Sequence, residues 1–162
     1  MTTFHDHFSG HATDYSQYRP RYPEALFDWV TSLVPDGTHA WDCATGNGQA
    51  AVALAERFQV AATDASAEQI AQAAPNPGVT YAVASAEASG LPDASVDLVT
   101  VAQALHWFDV PAFSAEVERV LRPGGAVVAW CYALFSLTDA IDAPIRQLYD
   151  ELVGPYWPPE RV

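Results

Sequence analysis

Two nearly continuous apolar runs constrain this chain most: Val96-Asp97-Leu98-Val99-Thr100-Val101-Ala102 and Ala126-Val127-Val128-Ala129-Trp130. A strand with one face in water alternates apolar and polar residues. Runs like these ask instead for cover on both faces, the environment of parallel strands. Parallel neighbours need long crossovers, usually helical, and the sequence supplies them. Its spacing predicts strands over 39–43, 60–63, 79–84, 96–102 and 126–132, with helices over 49–58, 67–74, 111–121 and 140–153. An earlier helix starts at Pro23, presents Leu26, Phe27, Val30, Leu33 and Val34 on one face, and ends at Pro35-Asp36-Gly37. Ser66 with Gln69 makes a capping box, and Thr138 with Asp139 marks the start of the last helix. Such alternation predicts an α/β fold with a doubly wound, mostly parallel sheet.

The sharpest local feature is His39-Ala40-Trp41-Asp42-Cys43-Ala44-Thr45-Gly46-Asn47-Gly48-Gln49, a strand that runs through a small-residue loop into a helix. Glycines at 46 and 48 let a ligand approach the backbone, and the helix start offers unpaired N–H groups. Asp64 closes the next strand, where a carboxylate accepts the two hydroxyls of a ribose. A tight turn followed by a helix-capping acid is the structural alternative. Gly46-x-Gly48-x-x-Ala51 also satisfies the dinucleotide fingerprint, so a module binding NAD or a flavin is the rival ligand reading.

Several ordered stretches resemble the class I S-adenosylmethionine-dependent methyltransferases. Asp42-Cys43-Ala44-Thr45-Gly46-Asn47-Gly48-Gln49 is similar to their first motif, and Asp64 matches their acidic ribose ligand. Ala86-Glu87 before Leu91-Pro92 resembles the adenine-edge motif. Asp97 through Phe108 resembles the fourth strand and the loop beyond it, including Gln103. Leu121-Arg122-Pro123-Gly124-Gly125 resembles the turn before strand five. Ala12-x-x-Tyr15-x-x-Tyr18-Arg19-Pro20-x-Tyr22-Pro23 is similar to the N-terminal arm of the small-molecule branch, which includes trans-aconitate methyltransferase-like proteins. The resemblance covers roughly residues 8–135. It implies S-adenosylmethionine as cofactor, S-adenosylhomocysteine as product and a small-molecule acceptor, with a SAM-binding protein without catalysis as the alternative.

The resemblance implies that Tyr15, Tyr18, Arg19, Asp42, Ala44, Gly46, Gly48, Asp64, Ala86, Glu87 and Gln103 bind the cofactor, with Arg19 near its carboxylate. His106, beside Trp107 and Phe108, is the candidate to orient an acceptor or take a proton; packing against Trp107 is the structural reading. Ala44 stands where the family usually has its first glycine, which is tolerable if the position needs no positive φ. Ser85 stands where many members carry an aspartate for the adenine amino group, a role that Glu87 or the backbone at Ala86 would then take. Residues 1–37 read as an arm and helix capping the cofactor site, 38–153 as the cofactor-binding domain and 154–162 as a tail. Family members continue with two further strands, so strand 126–132 is left as an apolar edge that natural sheets avoid. The expectation is a truncated chain or a homodimer through that edge.

Composition excludes some partners. Seven arginines and no lysine face twenty acidic residues, a net charge of −13 that repels a phosphate backbone, so nucleic acid is not expected. No apolar run reaches the roughly 20 residues of a membrane span, and the N-terminus lacks the basic-then-apolar pattern of a signal peptide. Cys43 and Cys131 read as free, buried thiols of a cytoplasmic protein. The lysine-free, Ala-rich composition suggests a GC-rich bacterial genome. His5, His7 and His11 read as solvated side chains, and no metal is expected.

Overall fold

The computed structural model describes residues 21–132 and 136–156. They belong to two compact units, one ending at Trp130 and the other beginning at Cys131, a boundary absent from the expected single domain over 38–153. The first unit runs α1 (Glu24–Ser32), β1 (His39–Cys43), α2 (Gln49–Leu54), β2 (Gln59–Asp64), α3 (Ala67–Ala71), β3 (Val79–Val83), β4 (Val96–Ala102), a 3-10 turn (Leu105–Trp107), α4 (Val110–Val120) and β5 (Leu121–Trp130). The five strands form one sheet in the order β3-β2-β1-β4-β5, with every neighbouring pair parallel. The expected doubly wound α/β architecture is therefore present.

The continuous apolar run of β4 has the cause the sequence suggested, with Val96, Leu98, Val99, Thr100 and Val101 all buried, whereas β5 is covered less than its run implies: Val128 is buried but Val127 and Ala129 are exposed. Along β1, Ala40 and Trp41 are both fully buried but belong to different cores. Ala40 joins Val60, Ala62, Leu98 and Val128 under Val30 and Val34 and under Ala51 and Leu54 of α2. Trp41 joins Cys43, Val99 and Val101 under Phe113, Val117 and Val120. Each fully buried side chain of this size contributes about 1.5–3 kcal/mol from removed apolar area. Leu33, expected on the packed face of α1, is 41% exposed instead. Nine residues of helix end before it, and Leu33 is already the C-cap.

Local chemistry sets the element ends. Ser66 Oγ accepts the Gln69 N–H and starts α3, and the Ser66 N–H donates to Asp64 at 2.8 Å. Asp109 caps α4 through the Ala112 N–H. The expected turn at 121–125 is a bulge within β5: Val96 pairs with Leu121 and Leu98 already with Ala126. Ending at Trp130, β5 leaves Cys131 beyond the strand. Cys43 is buried as expected, but Cys131 is exposed, contrary to the reading of two buried thiols.

In the second unit, α5 (Asp139–Arg146) gives way to a π-helical turn (Gln147–Val153) and a 3-10 turn (Gly154–Tyr156), so the single helix expected over 140–153 is wound in three ways. Pro144 lies inside α5 and supplies no N–H to the ladder. Thr138 starts the helix with its carbonyl, which accepts from the Ile141 and Asp142 N–H groups, and its hydroxyl makes no cap.

Candidate functional site

The carboxyl ends of β1, β2 and β4 converge because the sheet is parallel and β1 lies between the other two. In doubly wound sheets this is where ligands bind. The loop after β1 is fixed at both sides. Thr45 N–H donates to the Thr63 carbonyl at 2.9 Å, and Gly48 N–H donates to the Thr45 carbonyl at 3.0 Å. Three loop residues take left-handed backbone: Ala44 (φ 54°), Gly46 (φ 58°) and Gly48 (φ 86°). Ala44 therefore does take a positive φ, so the condition under which the missing glycine is tolerable is not met. An alanine holding that geometry costs about 1 kcal/mol or more.

The two glycines are small for different reasons. Among the described residues, a Cβ on Gly46 would have nothing nearer than Gln69 Oε1 at 3.8 Å, so they leave the space over it open. A Cβ on Gly48 would run into the Tyr81 hydroxyl and ring, so this position is closed by the protein itself. Asp64, at the end of β2, is anchored from below. One oxygen accepts the Gly46 N–H at 2.9 Å and the other accepts the Ser66 N–H at 2.8 Å. A carboxylate held by two backbone donors keeps lone pairs for further hydroxyl donors.

Asp42 is placed differently. It is 1% exposed, and its two oxygens accept the Thr100 hydroxyl at 2.8 Å and the Thr45 hydroxyl at 2.5 Å. Burial pushes its carboxyl up to about 6, against the pull of those two hydroxyls and the Ala51 N–H, and Asp64 nearby adds to the rise. Asp42 thus holds the loop from beneath. Cys43, one residue on, is driven far above the ordinary thiol range by burial and by Asp42, which removes it as a nucleophile.

The remaining sequence candidates are scattered around this centre. Ala86 buries its methyl in the core under α4, which leaves only its backbone for a ligand. Glu87 has one oxygen on the Asp109 N–H at 3.2 Å, tying the loop after β3 to the start of α4. Gln103 follows β4 with φ 61°, and its N–H donates to the Trp130 carbonyl at 2.8 Å. His106 is exposed and packs on Trp107, ring centroids 4.6 Å apart. Tyr15, Tyr18 and Arg19, like His5, His7 and His11, lie outside the described residues. Among the described residues no cluster of His, Cys, Asp or Glu is arranged to hold a metal, and no helix is long and apolar enough to cross a membrane. The sequence reading missed Thr45, Thr63 and Thr100 as loop supports, Tyr81 against Gly48, and Ser66 beneath Asp64. The one available signal was a threonine standing in each apolar strand at positions 63 and 100.

Residues 41–129 match the methyltransferase domain family, a span that holds the glycine loop, Asp64, Gln103 and His106. The chain belongs to that family. A protein named as a methyltransferase in Dictyostelium discoideum is 38% identical over 99% of this chain and 63% of its own length. A structure from Anaeromyxobacter dehalogenans, described as a type II methyltransferase, superimposes with a TM-score of 0.79 at 50% identity, covering 90% of this chain and 62% of that one. The chain thus spans under two thirds of the length of either. Phosphoethanolamine N-methyltransferase 2 of Haemonchus contortus, solved with phosphomonomethylethanolamine and S-adenosylhomocysteine, shares the fold (TM-score 0.65, 22% identity, 86% of this chain and 37% of that one). The likeness to class I S-adenosylmethionine-dependent methyltransferases, and with it the Rossmann-like fold, is borne out over the rival dinucleotide module.

Proposed function

We propose that this protein transfers a methyl group from S-adenosylmethionine to a small-molecule acceptor. The observation that carries the reading is the open space over Gly46 beside a carboxylate, Asp64, that two backbone N–H groups hold at the end of β2. The donor set fits the cofactor. Asp64 accepts the ribose hydroxyls, the backbone of Ala44–Gly48 lies against the amino-acid portion, and the loop around Ala86 and Glu87 meets the adenine. In this reading Gln103 closes the far wall at the end of β4, while Tyr15, Tyr18 and Arg19 belong to the covering arm. The family resemblance and the solved complex of a fold neighbour with S-adenosylhomocysteine support the assignment.

When bound, the cofactor supplies an electrophilic methyl on a sulfonium, whose sulfur leaves as a neutral thioether. The protein's work is then alignment, and holding two reactants in line is worth several kcal/mol. A carboxylate acceptor needs no base. An alcohol or amine acceptor needs one, and His106 on the loop after β4 is the residue proposed for it. The acidic surface favours a small acceptor over a nucleic acid, and the reducing cytoplasm suits a chain with an exposed free cysteine.

Calorimetry with S-adenosylhomocysteine, with NAD as the comparison, tests the reading. S-adenosylhomocysteine should bind and NAD should not. Asp64→Ala should weaken binding by about 1–3 kcal/mol through lost charge-assisted hydrogen bonds. Unchanged affinity in a folded variant removes Asp64 from the site.

A further inference from the structure

Among the described residues, three buried side-chain polar atoms lack a hydrogen-bond partner: Ser95 Oγ, Gln103 Nε2 and Trp130 Nε1. Ser95 belongs to the amino end of the sheet. The other two belong to residues whose backbones are neighbours at its carboxyl end, where Ala102 and Trp130 are register partners across β4 and β5 and the Gln103 N–H donates to the Trp130 carbonyl. A buried donor left unmade costs about 1–3 kcal/mol, and native proteins carry few. Gln103 bears a second cost, because its backbone is left-handed without being glycine. Strain and an orphaned donor on one residue at a strand end mark a site built for a ligand rather than for packing. The surroundings of Trp130 are aromatic: its ring meets Tyr22 edge-on at 5.5 Å and Phe27 at 6.3 Å. Both donors are neutral N–H groups, which match an oxygen with lone pairs and offer nothing to an ammonium group.

We infer that Gln103 Nε2 and Trp130 Nε1 donate to a carbonyl or carboxylate oxygen of the methyl acceptor, on the β4–β5 side of the cofactor. This rests on the methyltransferase reading and adds the chemical class of the acceptor. An acceptor of this class brings an apolar or aromatic body toward Tyr22, Phe27 and Trp130 and an oxygen toward the two N–H groups. The cofactor carries a carboxylate too, so the test separates the two sources.

The measurement is the amide and indole NMR spectrum of the ¹⁵N-labelled protein. Trp130→Phe and Gln103→Met assign the two signals, each removing one donor while nearly conserving shape. Acetate, benzoate and citrate are titrated into the protein with and without S-adenosylhomocysteine, with benzyl alcohol and benzylamine as controls. The expected result is that the carboxylates move both signals in the S-adenosylhomocysteine complex and the controls do not. Trp130→Phe should then weaken benzoate binding about tenfold, the worth of one hydrogen bond, while leaving S-adenosylhomocysteine affinity unchanged. Movement of both signals by S-adenosylhomocysteine alone would assign the donors to the cofactor and overturn the inference, as would signals that no carboxylate moves. If S-adenosylhomocysteine does not bind at all, the methyltransferase reading fails, and the titration without it still reports on the two donors.

Discussion

Asp42 makes a prediction that can be worked through in full. Its carboxyl is fully enclosed, and burial lifts it from the ordinary aspartate value of 3.8 to about 6. Each unit corresponds to about 1.4 kcal/mol, so the rise amounts to about 3 kcal/mol. A folded-state value above the unfolded one means that the folded protein favours the protonated form. The stabilising contribution is therefore complete below pH 3.8 and is lost as the pH rises through about 6. Asp42→Asn replaces the group with a neutral amide of the same shape. Its NH₂ no longer accepts a hydroxyl, but Thr45 or Thr100 can rotate to accept instead, so near pH 4 the variant should lie within about 1 kcal/mol of the parent. Between pH 3 and pH 8 the difference should move in the variant's favour by about 3 kcal/mol. With a urea slope of about 2 kcal/mol per molar, the gap between the two midpoints shifts by about 1.5 M. Urea unfolding at several pH values reads this directly, and other titrating groups cancel in the difference. A gap that stays constant across the range refutes the buried, proton-binding carboxyl. The same variant separates two roles. If Asp42 supports the loop from beneath, affinity for S-adenosylhomocysteine changes by less than about threefold; a collapse of affinity would put the carboxylate in contact with the ligand.

Glu116 has the opposite sign. Hydrogen bonds from Arg119 and Ser89 hold it down to about 2, so its contribution is present above 4.5 and lost as the pH falls toward 2. Glu116→Gln should cost about 1–3 kcal/mol at pH 7 and flatten the acid limb of the unfolding curve, with an unchanged acid limb counting against the network. Ala44→Gly relieves left-handed strain at the price of a more flexible unfolded chain, and should raise stability by roughly 0.5–1 kcal/mol in thermal unfolding; a loss would mean that the methyl packs more than the strain costs. At the other flank of the sheet, β5 is an edge strand whose Val127 is 47% exposed. A homodimer through that edge is our proposed assembly, so light scattering should give twice the monomer mass, and a clean monomer at high concentration defeats it.

Much of the fold was legible because burial on both faces of β4 leaves so strong a mark. Val96–Ala102 and Ala126–Trp130 name themselves as parallel strands, and the glycine loop then falls at a strand end of necessity. What stayed hidden depends on register, which pairs residues far apart in sequence. Asp42 and Thr100 are direct partners across β1 and β4, and only that pairing turns two polar interruptions into one buried hydrogen bond. The same holds for Gly48, which the sequence assigns to a ligand and the structure assigns to Tyr81, supplied by β3 two strands away. Helix ends fared worse where a backbone group took over from a side chain, as at Thr138.

This pattern separates two kinds of residue within one loop. Gly46 and Asp64 are the loop residues that face outward: no described side chain closes the space over Gly46, and Asp64 holds a carboxylate steady on two amides. Asp42, Thr45, Gly48 and Tyr81 are explained by one another, through short hydrogen bonds and a ring against a glycine. A residue whose neighbours account for it is part of the support. Gly46 is glycine for its left-handed backbone, and no described side chain fills the space above it. Gln103, strained and with an orphaned donor, lies at the carboxyl end of β4, so the proposed ligand-facing wall runs from the end of β2 across β1 to the end of β4.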